Sequence, residues 1–267
     1  MANLLNGKNY SVCSLYSGSK GNCVLIRSER AKILIDAGKS AKALCSALTS
    51  VGEDISNIDA IFIIHEHTDH VSALAVILKK HKIPVHAVKA SADKMLCGSL
   101  GAYADAFCIH SPVFSVEIGD MTVSSFPTSH DSVFSVGYRI CVTRDGSTDN
   151  IGYATDLGYV SDTVREALLG CETVVLESNH DVDMLMGGSY PYELKLRIAS
   201  DRGHLSNKAC ALFASELCEA GTKNILLAHL SEENNAPDVA LKEVAQSLEG
   251  KGVNLKIASA YECVLLV

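Results

Sequence analysis

Between Ile63 and Leu74 the chain reads IIHEHTDHVSAL, and His65–His70 alone carry three histidines and two acids in six residues. Few folds can accommodate such a run. Imidazoles and carboxylates crowded against apolar flanks cost free energy if they are buried unpaired, and a solvated loop gains nothing from them. IDAIFIIHEH begins as a continuous apolar stretch and reads as a buried strand. Strand alternation then puts His65 and His67 on one side. Asp69 and His70 follow where the chain should turn into a helix over HVSALAVILKKHK. Four ligand groups converging in one turn call for a divalent cation, because neutral imidazole and carboxylate bind zinc, manganese or iron. Further ligands of the same kind would mean two ions. Glu66 and Thr68 point away from the others and receive no chemical role.

Those further ligands lie at later strand ends. His130 follows MTVSSFPTS, Asp156 follows NIGYAT, and His229 follows NILLA. Singly, each would be a cap or a solvated loop residue; their shared placement favours the metal. The rest of the chain reads as a β-rich first half with helices, up to about residue 154. Helix and strand then alternate through SDTVREALLG, TVVLES, SNKACALFASELCEAG, NILLAHLS and APDVALKEVAQSLEG. The terminal strands are NLKIASA and ECVLLV. Two face-to-face sheets with helices outside fit this order. No repeat, linker or low-complexity stretch divides the 267 residues, so one domain over 1–267 is expected. The start, MANLLNGKNYSVCSLYSG, lacks the pattern of an export leader. No apolar run reaches the roughly 20 residues of a membrane helix. Ten scattered cysteines without a C-x-x-C pair suit reduced thiols in a cytoplasm. At a net charge of −8, any surface that binds nucleic acid must be locally basic.

HEHTDH, SHD, ATDLG and AHLS together resemble the ordered ligand series of the metallo-β-lactamase superfamily, and LIDAG resembles its first motif. The resemblance covers nearly the whole chain. It implies an α/β fold, the four-layer αββα sandwich, with the site at the open edge between the sheets. It also implies that His65, His67 and His130 hold one ion, that Asp69, His70 and His229 hold a second, and that Asp156 bridges them. Asp36 would support the ligand loop. The ions expected are Zn²⁺ or Mn²⁺, with Fe²⁺ also compatible.

Within the superfamily, SLYSGSKGNC, LIDAGKS, ATDLGYV, LESNHDVDML, SYPYELKLRIASDRGHLSN and AHLSEENN are similar to the YycJ/WalJ family, described as cytoplasmic exonucleases acting on DNA. The resemblance implies a dinuclear phosphodiesterase of the 5′-to-3′ exodeoxyribonuclease kind. Its partner would be nucleic acid, DNA rather than RNA. Asp69 would orient the nucleophile, and His204, held by Glu177, would protonate the leaving oxygen, as in the similar tRNA-processing nucleases. GHLSN opens a helix, where Ser206 or Asn207 could meet a phosphate. Ser206 could equally be an ordinary cap. Lys195 and Arg197 belong to a locally basic stretch that could face the substrate. Tyr190 and Tyr192 could stack on a base, although packing within a loop suits them better. His180 could touch substrate, or replace His229 as a ligand. His81, His86 and His110 have no companions and read as structural. The competing function is a small-molecule hydrolase, acting on a cyclic phosphodiester or thioester with the same ions.

Overall fold

The computed structural model describes residues 8–267; the first seven residues of the stretch examined for a leader lie outside them. The strands are β1 (Tyr10–Tyr16), β2 (Cys23–Ser28), β3 (Lys32–Ile35), β4 (Ala60–Phe62), β5 (Val85–Val88), β6 (Phe107–His110), β7 (Ser115–Ile118), β8 (Met121–Thr128), β9 (Ser135–Arg144), β10 (Ser147–Ala154), β11 (Thr173–Glu177), β12 (Asn224–Ala228), β13 (Asn254–Ile257) and β14 (Val264–Leu265). One sheet runs β14-β1-β2-β3-β4-β5-β6 and the other β13-β12-β11-β10-β9-β8-β7. The two terminal strands thus separate, one to each sheet.

Side-chain alternation makes the layers. Val12, Ile26, Ile33 and Phe62 from the first sheet meet Val123, Tyr138, Ile151, Val175 and Leu226 from the second in one central core. Their neighbours in sequence, Leu25, Leu34 and Ile61, face outward onto the helices α1 (Ala41–Ser50), α2 (Thr68–Val71), α3 (Leu74–Leu78) and α4 (Lys89–Leu96). Val174, Leu176, Ile225 and Leu227 do the same beneath α5 (Asp162–Leu168), α8 (Asn207–Glu219) and α9 (Pro237–Ser247), with α6 (Val182–Gly187) and α7 (Tyr192–Ile198) between α5 and α8 in the chain. Each fully buried aliphatic side chain contributes roughly 1.5–3 kcal/mol. The result is the αββα sandwich.

Two local expectations fail for one reason. The strand expected to run through His67 stops at Phe62, and the helix expected from His70 is broken into α2 and α3. Long-range partners take the backbone groups that would have continued both elements. Ile64 N–H donates to Asp36 Oδ1 at 3.0 Å, Val136 N–H donates to Ile64 O at 3.1 Å, and the Tyr138 hydroxyl donates to Ile63 O at 2.7 Å. Asp69 O accepts from Asn22 N–H at 2.8 Å, His70 O from Ala37 N–H at 2.7 Å, and Ala37 O from Ala73 N–H at 2.9 Å. Gly38 lies under this turn so closely that a β-carbon there would sit 1.9 Å from Asp69 O. The ligand loop is thereby clamped between the sheets, and His65 and His67 come together by loop geometry rather than strand pleat.

His86 and His110 have companions after all. Phe62, His86, His110 and Phe114 stack in a file, with centroids 4.5, 5.2 and 4.1 Å apart, and His86 Nδ1 lies 3.0 Å from His110 Nε2. Burial, then the neighbouring His110, pushes the His86 pKa down to about 4; burial also lowers His110. The unfolded chain takes up these protons near pH 6.5 and the folded chain only below that, so acid favours unfolding across the window. We expect urea-unfolding stability to fall between pH 6.5 and 4, with His86 accounting for at most about 3 kcal/mol. His86→Phe should flatten the profile by that share; an unchanged profile would show that the pair is not its source.

Candidate metal centre

The ligand candidates all stand just past strand ends on one edge of the sandwich: His65–His70 after β4, His130 after β8, Asp156 after β10 and His229 after β12. The His65 ring lies 4.3 Å from those of His67 and His70 and 4.9 Å from that of His130. Ligand atoms of His65, His67 and His130 fall within 4.8 Å of one another, as do those of Asp69, His70 and His229. Asp156 faces both sets. Its Oδ1 is 3.6 Å from His130 Nε2 and 3.5 Å from His229 Nε2, and its Oδ2 is 3.5 Å from His70 Nε2.

The donor chemistry fits divalent cations. His65 is fully buried with no hydrogen-bond partner among the described residues for either ring nitrogen, and Asp156 Oδ2 is likewise buried and unpartnered among them. A buried polar atom left this way costs about 1–3 kcal/mol, and coordination would satisfy one His65 ring nitrogen and Asp156 Oδ2. The other rings are set from behind. His70 Nδ1 meets Asp36 Oδ2 at 2.8 Å, His130 Nδ1 meets Gly203 O at 3.1 Å, and His229 Nδ1 meets Glu177 Oε1 at 3.2 Å. Each contact holds the Nδ1 proton and turns Nε2 toward the centre, the nitrogen a metal would bind. In the metal-free chain, burial is outweighed by the surrounding carboxylates, which raise the His70 and His229 pKa values well above the ordinary range.

The electrostatics agree. Burial, then His70, pushes the His65 pKa well down, keeping it neutral, and burial also lowers His130. Burial works to raise the carboxyls of Asp69 and Asp156. His70 and His229 together outweigh it at Asp69, and His229, His70, His130 and His65 together outweigh it at Asp156, so both are held well below the usual carboxylate range. Asp36, Asp156 and His229 adopt φ of 64°, 58° and 58°. Left-handed backbone is costly for residues with a β-carbon, and here it turns three chain ends sharply into the site.

Glu177, fully buried at the end of β11, organises the adjoining wall. Its Oε2 accepts from Leu157 N–H at 2.8 Å and Leu205 N–H at 3.0 Å, while Oε1 faces His204 Nδ1 at 2.7 Å and His229 Nδ1. Burial would raise this carboxyl, but His204 and His229 together overcome it and hold it at about 2. In return Glu177 outweighs the effect of burial on His204 and raises that imidazole's pKa. His204 borders a cavity of about 290 Å³ together with His67, Asp69, His130, Asp156 and His229.

The expected substrate contacts divide. Arg197 lines the cavity and pairs with Asp131, and Tyr190 lines it too. Lys195 does not reach the substrate side: it is buried, and its Nζ donates to Met186 O at 2.8 Å and Gly188 O at 2.7 Å at the end of α6. Asn207 is also turned inward, its Oδ1 held by Ser178 Oγ at 2.7 Å and Asn235 Nδ2 at 2.9 Å. Ser206 caps α8, accepting from Ala209 N–H at 3.2 Å. Tyr192 is exposed and outside the cavity lining. His180 stands behind His204 rather than among the ligands.

Several contributors escaped the sequence reading. Asn22 contacts Asp69 Oδ2 at 3.2 Å, Asn179 contacts His229 Nδ1 at 3.3 Å, and Asp131 lies 3.3 Å from His130 Nε2. Asn22 and Asn179 lie in GSKGNC and LESNHD, stretches conspicuous for their resemblance but without a ligand pattern. Glu66 has a structural role, accepting from Val133 N–H at 2.8 Å and so tying the His65 loop to the segment after His130.

Residues 31–230 match the family described as the beta-lactamase superfamily domain. The chain is 36% identical over 258 residues to exodeoxyribonuclease YycJ of Bacillus anthracis, covering 96% of this chain and 94% of the relative. It is 35% identical over 259 residues to exodeoxyribonuclease WalJ of Streptococcus pneumoniae, covering 94% and 93%. Among solved structures, the metallo-beta-lactamase fold protein YhfI from Bacillus subtilis superposes with a TM-score of 0.70 at 18% identity, covering 96% of this chain and 99% of that one.

Proposed function

The chain belongs to the metallo-β-lactamase superfamily and, within it, to the YycJ/WalJ family, and from that premise we propose that it is a dinuclear metal-dependent phosphodiesterase, an exodeoxyribonuclease degrading DNA from the 5′ end. The observation that carries this reading is the Glu177–His204 pair, closed at 2.7 Å on the wall of the cavity that gathers the ligand set. The relatives named as exodeoxyribonucleases support DNA as the substrate. In this reading His65, His67 and His130 hold one ion, Asp69, His70 and His229 the other, and Asp156 lies between them. Zn²⁺ and Mn²⁺ both suit these donors, as does Fe²⁺. The ions would supply Lewis acidity, polarising the scissile phosphate and lowering the pKa of the attacking water.

The chain's own groups do the rest. Asp69 stays ionised and orients the water. Glu177 holds His204 by Nδ1, which leaves Nε2 to deliver a proton to the departing sugar oxygen as its bond to phosphorus breaks. Arg197, released from Asp131, binds a non-bridging phosphate oxygen. The site draws on residues from 65 to 229, which supports reading 1–267 as one catalytic domain. Ten free thiols suit a reducing compartment, and we place the enzyme in the cytoplasm. No helix among the described residues is long and apolar enough to cross a membrane.

One observation favours a smaller substrate: among the described residues lining the cavity, Arg197 is the sole Lys or Arg, beside Asp69, Asp131 and Asp156. End-labelled single- and double-stranded DNA and RNA, digested with Mn²⁺ or Zn²⁺, separate the two readings. We expect stepwise release of nucleotides from the 5′ end of DNA. Failure to cut any polymer, with rapid turnover of a small phosphodiester, would favour the small-molecule hydrolase.

A further inference from the structure

His204 has a second side. Behind it lies another cavity, of about 350 Å³, which borders His204 but none of the seven ligand candidates. Tyr159, three residues after Asp156, forms one wall; Leu212 and Phe213 of α8 form another. Tyr159, Val182 and Leu212 around it are 45%, 46% and 65% exposed, a cluster of large apolar groups left open to solvent. The charges present are already matched, since Arg165 pairs with Glu216 and packs 5.6 Å from the Phe213 ring.

His180 adds the polar element. It is 2% exposed, borders the cavity, and has a buried Nδ1 without a hydrogen-bond partner among the described residues. Its backbone is fixed by the bridge to Ser206 and by Asn207 N–H donating to His180 O at 2.8 Å. Buried N–H groups without an acceptor are rarer than unpartnered acceptors, which favours the ring proton on Nε2, so His180 offers a donor.

We propose that this cavity binds the base of the nucleotide that departs when the phosphodiester is cut. The inference rests on the phosphodiesterase reading. If His204 protonates the leaving oxygen, the departing sugar lies within hydrogen-bond reach of it. The ligand side of His204 is taken up by the metal centre, which leaves the second cavity for the base that this sugar carries. The walls suit that occupant. An aromatic face and apolar rim accept any base by stacking, and a lone donor meets an acceptor on the base edge. A phosphate would instead need a free cation, and Arg165 is engaged. The subsite therefore holds the departing nucleotide in line with His204 without selecting sequence.

The test uses two oligodeoxynucleotides, one intact and one abasic at the nucleotide that departs with the 3′-oxygen, with wild type, Tyr159→Ala and Tyr159→Phe. Tyr159 is half exposed, so truncation leaves the core untouched. Wild type should prefer the intact substrate in kcat/KM. Tyr159→Ala should reduce that preference roughly tenfold, the size of one lost base stack, and Tyr159→Phe should retain it. Equal losses on both substrates, or no wild-type preference, would overturn the subsite while leaving the nuclease reading in place. No cleavage of either substrate by wild type would remove the nuclease reading and the subsite with it.

Discussion

His204→Ala should lower kcat for phosphodiester cleavage by roughly 10²–10⁴-fold, the usual contribution of a positioned proton donor, and should leave bound metal at the wild-type level. The first half follows from His204 Nδ1 being tied to Glu177 at 2.7 Å, which orients the ring and favours its protonated form. The second half follows because the two three-residue ligand sets close without His204. A competing arrangement exists: Asp156, Glu177, His204 and His229 also bring ligand atoms within 4.8 Å of one another. Glu177→Gln probes the carboxylate behind both imidazoles. Glu177 accepts from two backbone amides through Oε2 and faces two imidazoles through Oε1. A glutamine has one acceptor oxygen, and the backbone amides cannot reverse. The amide nitrogen would therefore face His204 and His229, driving the His229 proton onto the Nε2 that points at Asp69 and Asp156. E177Q should lose metal as well as turnover, whereas H204A should lose turnover alone. Metal analysis of the two purified variants decides; an H204A protein stripped of metal would make His204 a ligand.

The layer order, the seven ligand candidates and the strands that His130, Asp156 and His229 follow could be read from the sequence, because apolar runs and the polar residues that end them are local signals. What could not be read depended on partners far away in the chain. IIHEH has the composition of a strand, yet Ile63 and Ile64 give their backbone groups to Asp36, Val136 and Tyr138, and the strand ends early. HVSALAVILKKHK has helical periodicity, but Asn22 and Ala37 take the carbonyls of Asp69 and His70, and the helix breaks. Lys195 shows the same limit for side chains. A lysine in a basic helical stretch suggests a solvated or substrate-facing charge, and nothing nearby reveals that two carbonyls at the end of α6 bind its ammonium group. His86 and His110, 24 residues apart, looked solitary until β5 and β6 set His86 opposite Cys108 and His110 opposite Val88, which leaves the two rings diagonal neighbours on one face.

The same distance argument gives the second large effect to Asp36, 34 residues before His70. Asp36→Asn should weaken divalent-ion binding about 10–100-fold, the usual cost of losing a carboxylate behind a ligating histidine, although residue 36 belongs to neither ligand set. Asparagine matches aspartate in shape and tolerates the left-handed backbone found there, φ 64°. The change is therefore one of hydrogen bonding. Asp36 Oδ1 accepts from Ile64 N–H at 3.0 Å, and Oδ2 accepts from His70 Nδ1 at 2.8 Å. Asparagine can serve one of these donors, and the backbone amide of Ile64 has no alternative state. His70 does: it can move its proton to Nε2, the nitrogen 3.0 Å from Asp69 Oδ2 and 3.5 Å from Asp156 Oδ2. That proton then occupies the position a metal needs. Competition with a chelator of known affinity measures the effect, and a urea midpoint checks that the variant is folded. A folded D36N protein that binds metal as tightly as wild type would mean that Asp36 does not set the His70 tautomer and serves only to hold the ligand loop in place.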